Sequence, residues 1–216
     1  MKSQHTRRAL AVTTAGAALA SVGLAATVTP AAAAPKSLAT VLTSDGNKFD
    51  RNSGDFDVAT EAVLTVLKAK PGSAVGALTN PTTKLTAFVP TDKAFMVLAS
   101  DLSGKHITSE KRAFKVVAGL GVDTVETVLL YHVVVGPKIN AKAALNANGA
   151  KLATAAGPSI KVKVTKRPAI ILRDKDTNSR NARVILKLTN INKGNPQLAH
   201  GIDRVLRPVD LPPTVK

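Results

Sequence analysis

The sequence of 216 residues contains no cysteine and no tryptophan, and aromatic residues make up only 3% of it. Without cysteine, thiol catalysis, thiolate metal sites and disulfides are excluded, so a folded domain must rely on core burial. The absence of tryptophan argues against a sugar-processing cleft, because such clefts stack their ligands on aromatic rings. Every aromatic residue lies at or before Tyr131. The later part of the chain therefore has nothing to stack on a nucleobase, and we expect no specific nucleic-acid partner.

Sequence motifs of catalysis are also missing. The chain has neither a Gly-x-Ser-x-Gly elbow nor a phosphate loop, and its histidines lack the spacing of a helical metal pair. The run Asp174-x-Asp176-x-Asn178 resembles the start of a calcium loop, but Ser179 and Ile185 occupy the positions that need glycine and glutamate. Asp and Asn also favour turns, so we predict a hairpin loop there. These observations predict a protein that is not an enzyme and has no cofactor or metal.

The N-terminus has basic residues at positions 2, 7 and 8, then an alanine-rich apolar run over 9–28 and the small residues of 31–34. This order is typical of a secretory signal peptide with its cleavage site. We predict residues 1–34 as a signal peptide, 35–209 as a single domain and 210–216 as a short C-terminal tail. A membrane anchor is the alternative, and the choice between the Sec and twin-arginine routes stays open. The protein is expected to be secreted or extracellular, including association with the cell envelope.

Charge is distributed very unevenly. The chain has 30 basic and 14 acidic residues, a formal net charge of +16. Residues 35–150 hold 13 basic and 10 acidic residues, whereas residues 151–207 hold 13 basic and only 3 acidic ones. Such a local excess attracts anionic polymers or membrane surfaces. The alternative is a basic face that is merely solvated.

Helical patterns occupy the first part of the predicted domain and strand patterns the second. Asp57 is predicted to begin a helix that Pro71 ends, and a capping box of Asp123 and Glu126 is predicted to open another. Apolar residues alternate with lysines over 160–165, which predicts a strand. Further helices are predicted from Thr91 to Leu102 and over 109–120, and further strands over 85–89, 169–173, 183–188 and 202–206. Helices followed by a meander of strands indicate an α+β domain.

Two segments resemble the conserved boxes of the fasciclin-like (FAS1) domain family. The first runs Thr86-Ala-Phe88-Val-Pro90-Thr91-Asp92-Lys-Ala-Phe95, and the closing one runs His200-Gly-Ile-Asp203-Arg-Val-Leu206-Arg-Pro. Tyr131-His132 lies in the place of the family's Tyr-His pair, and Thr154 to Gly157 is similar to its Thr-x-x-Gly step. The resemblance covers about residues 37–209. One departure from the family pattern is the segment 166–181, which looks basic and extended and which the resemblance does not explain.

The resemblance implies a FAS1 fold, a β-wedge or sandwich with helices packed along one side. It implies mainly structural roles for the motif residues Thr86, Phe88, Pro90, Thr91, Asp92, Phe95, His200, Asp203 and Leu206. It also implies adhesion rather than catalysis, and since the Tyr-His region of animal members is associated with integrin contact, Tyr131 and His132 are binding candidates. The alternative is that this pair stabilises the fold.

Two functions follow from the sequence, and both can hold at once. The first is a secreted, monomeric, non-catalytic adhesion module that binds a cell-surface or matrix protein or glycan. The second is electrostatic binding to an anionic envelope polymer or lipid head groups through the basic C-terminal half, with Lys161, Lys163, Lys166 and Arg167 as binding candidates. A small-molecule or pigment carrier is a third possibility, which would need a visible pocket.

Overall fold

The computed structural model describes residues 33–44, 46 and 48–210. The predicted signal peptide and tail lie almost wholly outside the described residues. Among the described helices, none is long and apolar enough to cross a bilayer. The helices are α1 Leu38–Leu42, α2 Asp57–Ala69, α3 Asp92–Ser103, α4 Glu110–Ala118, α5 Val122–Tyr131 and α6 Ala141–Leu145, with short 3-10 turns at Ala74–Leu78 and Leu186–Leu188. The strands are β1 Leu85–Pro90, β2 Val133–Val135, β3 Lys151–Ala153, β4 Ser159–Val164, β5 Ile170–Arg173, β6 Ala182–Arg183 and β7 Gln197–Ile202.

Local signals place the start and end of α3 where the sequence predicts them. The hydroxyl of Thr91 accepts a hydrogen bond from the backbone N–H of Ala94 at 3.4 Å, which satisfies one free donor of the first turn. Gly104 ends the helix in the left-handed conformation, at φ +64°, which costs glycine little. Phe95 lies on the buried side of α3, as predicted for a core residue.

The predicted capping box of α5 is wrong. Gly121 precedes the helix and gives it no side-chain cap, whereas the carboxylates of Asp123 and Glu126 both bind Lys70 at the end of α2. Ser73 also donates to Glu126 at 2.5 Å. The two acids that the local pattern assigned to the helix start therefore form tertiary ion pairs with Lys70 instead.

A three-stranded sheet in the order β2-β1-β7 lies at the centre of the domain. β1 is antiparallel to β2 and parallel to β7, with Phe88 opposite His200. All residues of β1 and β7 are buried, as expected for strands covered on both faces. The predicted closing strand at 202–206 is wrong, because β7 begins five residues earlier, at Gln197, and ends at Ile202. After Ile202 the chain leaves the sheet, and the backbone N–H of Leu206 donates to His132.

A second sheet, in the order β3-β4-β5-β6, is the predicted antiparallel meander. Along β4 the side chains alternate between exposed and buried, as the alternation of lysine with Ile160 and Val162 predicts. The predicted strand over 183–188 is only partly right. The N–H of Val184 still donates to the carbonyl of Ile170 in β5 at 2.9 Å, but Val184 also bridges to Ile202. From Ile185, whose N–H donates to Gly201, the chain has left this sheet.

Two apolar cores divide the domain into three layers. The first core packs α1 to α5 against the side of β1 that carries Leu85, Ala87 and Val89. The second core packs Phe88, on the opposite side of β1, against inward residues of the second sheet such as Ile160 and Leu172. The order of layers is therefore helices, three-stranded sheet and four-stranded sheet. The outer face of the four-stranded sheet is exposed to solvent.

Gly201 lies where no larger residue fits. A Cβ added to it would lie 2.7 Å from Cβ of Leu188 and 3.3 Å from Cζ of Phe56, so backbone as well as side chains would have to move. We expect Gly201→Ala to lower the free energy of unfolding by about 1–3 kcal/mol, the usual cost of overpacking a core. Urea unfolding measures this, with Gly72→Ala as the control, because a Cβ there meets nothing within 4 Å. Equal stability of the two variants would contradict the packing.

Candidate binding surface

The outer face of the four-stranded sheet is strongly basic. Its exposed positions include the side chains that we call the basic face, namely Lys151 of β3, Lys161 and Lys163 of β4, Arg173 of β5 and Arg183 of β6. They share this side because residues two apart along a strand face the same way while their neighbours face the core. Five cations from four strands thus form a single surface.

The strand register arranges these charges in two rows. Lys161 lies directly opposite Lys151 on one side and Arg173 on the other. In the second row, Ile171 lies between Lys163 and Arg183. Neighbouring strands are about 4.8 Å apart. Like charges directly opposite each other destabilise a sheet, so the first row lowers the stability of the fold instead of supporting it.

These charges have no acidic partners nearby. Within the described residues, no carboxylate lies within ion-pair distance of any of the five side chains. Asp203, the acid closest in the fold to β6, pairs with Arg180 at 3.3 Å and accepts the backbone N–H of Arg183 at 2.7 Å. The basic face therefore has five charges that an external anion can neutralise.

Lys166 and Arg167 extend the basic face at one end. Both are exposed in the turn between β4 and β5, which closes with a hydrogen bond from the N–H of Thr165 to the carbonyl of Ala169 at 3.1 Å. The structure thus places four of the six predicted binding residues, Lys161, Lys163, Lys166 and Arg167, on or beside the same surface. It adds Lys151, whose position opposite Lys161 depends on strand pairing, which no local pattern in the sequence indicates.

Tyr131 and His132 lie inside the domain, on the opposite side of the second core from the basic face. Tyr131 is fully buried and its hydroxyl donates to the carbonyl of Ser159 at 3.4 Å; burial raises its pKa to about 12. His132 accepts the N–H of Leu206 at Nε2, at 2.9 Å, so its Nδ1 carries the proton and donates to the carbonyl of Val128 at 2.7 Å. Burial lowers the pKa of His132 to about 4, so the ring is neutral. Both side chains hold core elements together, and a partner would have to open the core to contact them.

The motif residues also act within the fold. Asp92 accepts the backbone N–H groups of Val58 at 2.8 Å and Asp57 at 3.2 Å, and so joins the starts of α2 and α3. Thr86 accepts the N–H of Ile139 at 2.9 Å, and Nε2 of His200 bonds the carbonyl of the same residue at 2.7 Å. The two boxes therefore meet at adjacent strands, where their polar side chains fix the connection after β2.

Arg207, in the closing segment, joins two segments that are distant from each other in sequence, α3 and the loop between β5 and β6. Its guanidinium binds the buried carboxylate of Asp176 at 2.7 Å and Asp101 of α3 at 2.5 Å. Its backbone N–H donates to Asp174 at 2.8 Å. The hairpin loop between β5 and β6 therefore holds the closing segment in place. The loop carboxylates of Asp174 and Asp176 both bind Arg207.

An apolar groove lies beside this anchor. It has a volume of about 370 Å³, and Leu98, Leu102, Leu120 and Val209 are among its lining residues. Three of these side chains, those of Leu102, Leu120 and Val209, are exposed. The volume falls within the range of small-molecule sites, so the groove could accept a small apolar ligand.

The layered α+β architecture defines the class of this protein as a small two-sheet module with a helical layer. The family model of the Fasciclin domain matches residues 60–208, more than half of the sequence, and the chain belongs to this family. The structure is similar to that of a FAS1 domain pair from the insect cell adhesion molecule Fasciclin I, with a TM-score of 0.52 and 17% identity over 80% of this chain. The match spans about half of that structure, 51% of its length, and shows the fold. No curated protein matches the chain. The predicted FAS1 fold is confirmed.

Proposed function

We propose that this chain is an extracellular, non-catalytic interaction module that binds an anionic cell-surface polymer through its basic face. The single observation that carries the proposal is the row of Lys151, Lys161 and Arg173, whose like charges face one another across three strands. A folded domain retains such a row at a cost in stability. An anionic polymer would remove that cost by placing negative charge along the row.

Export and adhesion are parts of the same proposal. The signal-like composition of residues 1–34 supports a location outside the cytoplasm, where anionic polymers of the cell surface are accessible. The matched insect protein is a cell adhesion molecule, which supports an adhesive role for this module. Binding of a protein or glycan partner by another face is compatible with electrostatic retention, because the basic face occupies only one of the three layers.

A polymer is a better partner for this face than a lipid bilayer. Interfacial membrane binding combines basic residues with aromatic or leucine side chains that enter the headgroup region. Among the described residues, the aromatic side chains are all buried or half-buried, and the basic face has only the half-buried Ile171 at its centre. A flat array of cations suits the backbone of a phosphate- or carboxylate-bearing chain.

The experiment is a binding titration on immobilised poly(glycerol phosphate) at increasing salt, with phosphatidylglycerol vesicles and uncharged dextran as parallel surfaces. If all five cations contact phosphates as in single-stranded nucleic acids, the slope of log K against log salt is about −3.5, and affinity falls about a hundredfold between 50 and 200 mM salt. Salt-independent binding, or equal binding to dextran, would contradict the proposal. Stronger binding to vesicles than to the polymer would replace the polymer with lipid head groups.

A further inference from the structure

Three helices of the first core begin at one place, and each begins with an acid. Asp57, Asp92 and Glu110 are the first residues of α2, α3 and α4, and all three are buried. Each offers a carboxylate oxygen within 4.8 Å of the other two. A second group, formed by the exposed Asp50 and the half-buried Asp55 together with Asp57, meets the same limit. The two groups share Asp57, so a line of carboxylates leads from solvent to the buried helix starts.

Two buried oxygens of this cluster have no donor among the described residues when its carboxyls are ionised. Glu110 is only 3% exposed, and its carboxylate accepts the backbone N–H of Asp50, yet Oε2 receives no donor. Oδ1 of Asp55 is also buried and has no donor when the neighbouring carboxyls are ionised; burial and a side-chain hydrogen bond with Asp55 raise the pKa of Asp92 to about 8, so a proton shared by these two carboxyls satisfies them when no cation is bound. An unsatisfied buried carboxylate oxygen is costly, so Oε2 of Glu110 marks a place for a positive ligand.

The helix starts compensate only part of the negative charge. Each helix N-terminus acts as about half a positive charge, so three of them supply about +1.5. The carboxylates of Asp55, Asp57, Asp92 and Glu110 supply four negative charges. That full charge is not present in the cation-free protein, because burial raises the pKa of Asp92 to about 8 and also raises that of Glu110; protons neutralise part of the charge, and a divalent cation would displace them.

We propose that Asp57, Asp92 and Glu110 hold a hard divalent cation, best suited to Ca²⁺, which enters past Asp50 and Asp55. Ca²⁺ takes carboxylate oxygens at 2.3–2.6 Å, so two of its ligands can lie up to about 5 Å apart, which accommodates the 4.8 Å limit of the cluster. Mg²⁺ prefers about 2.0–2.1 Å and a stricter octahedron, and it fits a contracted cluster only. The cation would join the first turns of three helices, so binding stabilises the helical layer independently of the basic face.

The test compares thermal unfolding of the chelator-treated protein in CaCl₂, MgCl₂ or NaCl at equal ionic strength, with calorimetric titration for affinity. Extracellular calcium modules bind at about 10⁻⁴–10⁻³ M, so cation concentrations up to about 10 mM cover the range. At ten times the Kd we expect Tm to rise by about 3–6 °C. No rise with either divalent cation would overturn the inference.

Variants locate the site. Glu110→Gln removes the unpartnered charge, and it should fold without a cation while losing the Tm rise. Asp123→Asn, which removes an exposed carboxylate on α5, should keep the whole rise. If Glu110→Gln does not fold, Asp55→Asn on the solvent side should weaken calcium binding at least tenfold. A cation effect that is equal in the parent and in the Glu110 or Asp55 variant would overturn the inference.

Discussion

Lys161→Glu is expected to make the domain more stable and, at the same time, a much weaker binder of anionic polymer. The new carboxylate would lie opposite Lys151 and Arg173, so two repulsive cross-strand pairs become attractive. Such pairs contribute about 0.2–1 kcal/mol each, so the two new attractions alone should raise the free energy of unfolding by about 0.4–2 kcal/mol, and the loss of repulsion adds to this. A cation near an anionic surface contributes about 1 kcal/mol, and reversing its sign costs about twice that, a loss of roughly 30-fold in affinity.

Lys115→Glu on α4 is the matched control, because it changes the net charge equally on an exposed residue of the helical layer. It should bind the polymer nearly as the parent does. Equal losses in the two variants would mean that net charge, and not the basic face, governs binding. A stability decrease in Lys161→Glu would contradict the assignment of repulsion to its row.

Arg207→Met is expected to cost about 3–5 kcal/mol of stability, the largest effect that we predict for a single side chain. The side chain of Asp176 is only 1% exposed, and without Arg207 its carboxylate remains buried without a cation. Methionine retains much of the length and apolar volume of arginine, so the loss reports mainly on charge. Urea or thermal unfolding measures it, as a Tm decrease of roughly 6–20 °C.

Arg180→Met provides the comparison for this prediction. Arg180 pairs with Asp203 at 3.3 Å, but 59% of its side chain is exposed. Exposed pairs contribute about 0–1 kcal/mol, so this variant should be nearly as stable as the parent. If Arg207→Met cost no more than Arg180→Met, the closing segment would not depend on the buried pair.

Features that the sequence predicted correctly depend on local patterns. Alternation over β4 gives both the strand and its exposed face, and Thr91 fixes the start of α3. The α+β class and the two family boxes follow from such short segments. Local reasoning failed where distant residues compete for the same groups, as when Lys70 binds the two acids assigned to the cap of α5.

The features that escaped prediction depend on pairings between distant residues. β1 pairs in parallel with β7 across more than a hundred residues, and no short pattern encodes that register. The same applies to Lys151, which joins the charged row only through the pairing of β3 with β4. The convergence of Asp57, Asp92 and Glu110 at one point likewise needs the packing of three helices. The excess of positive charge was visible in the sequence, whereas its arrangement across neighbouring strands was not.

The central claim is that the outer face of the four-stranded sheet is the surface that contacts the anionic polymer. Lysine footprinting tests it most directly: the free and polymer-bound protein are treated briefly with an amine-reactive acetylating reagent, and modification is measured at each lysine. The account predicts that bound polymer protects Lys151, Lys161 and Lys163, while Lys105 and Lys115, which are exposed outside the sheet, react as in the free protein. Uniform protection of all five lysines, or protection of Lys105 and Lys115 alone, would contradict it.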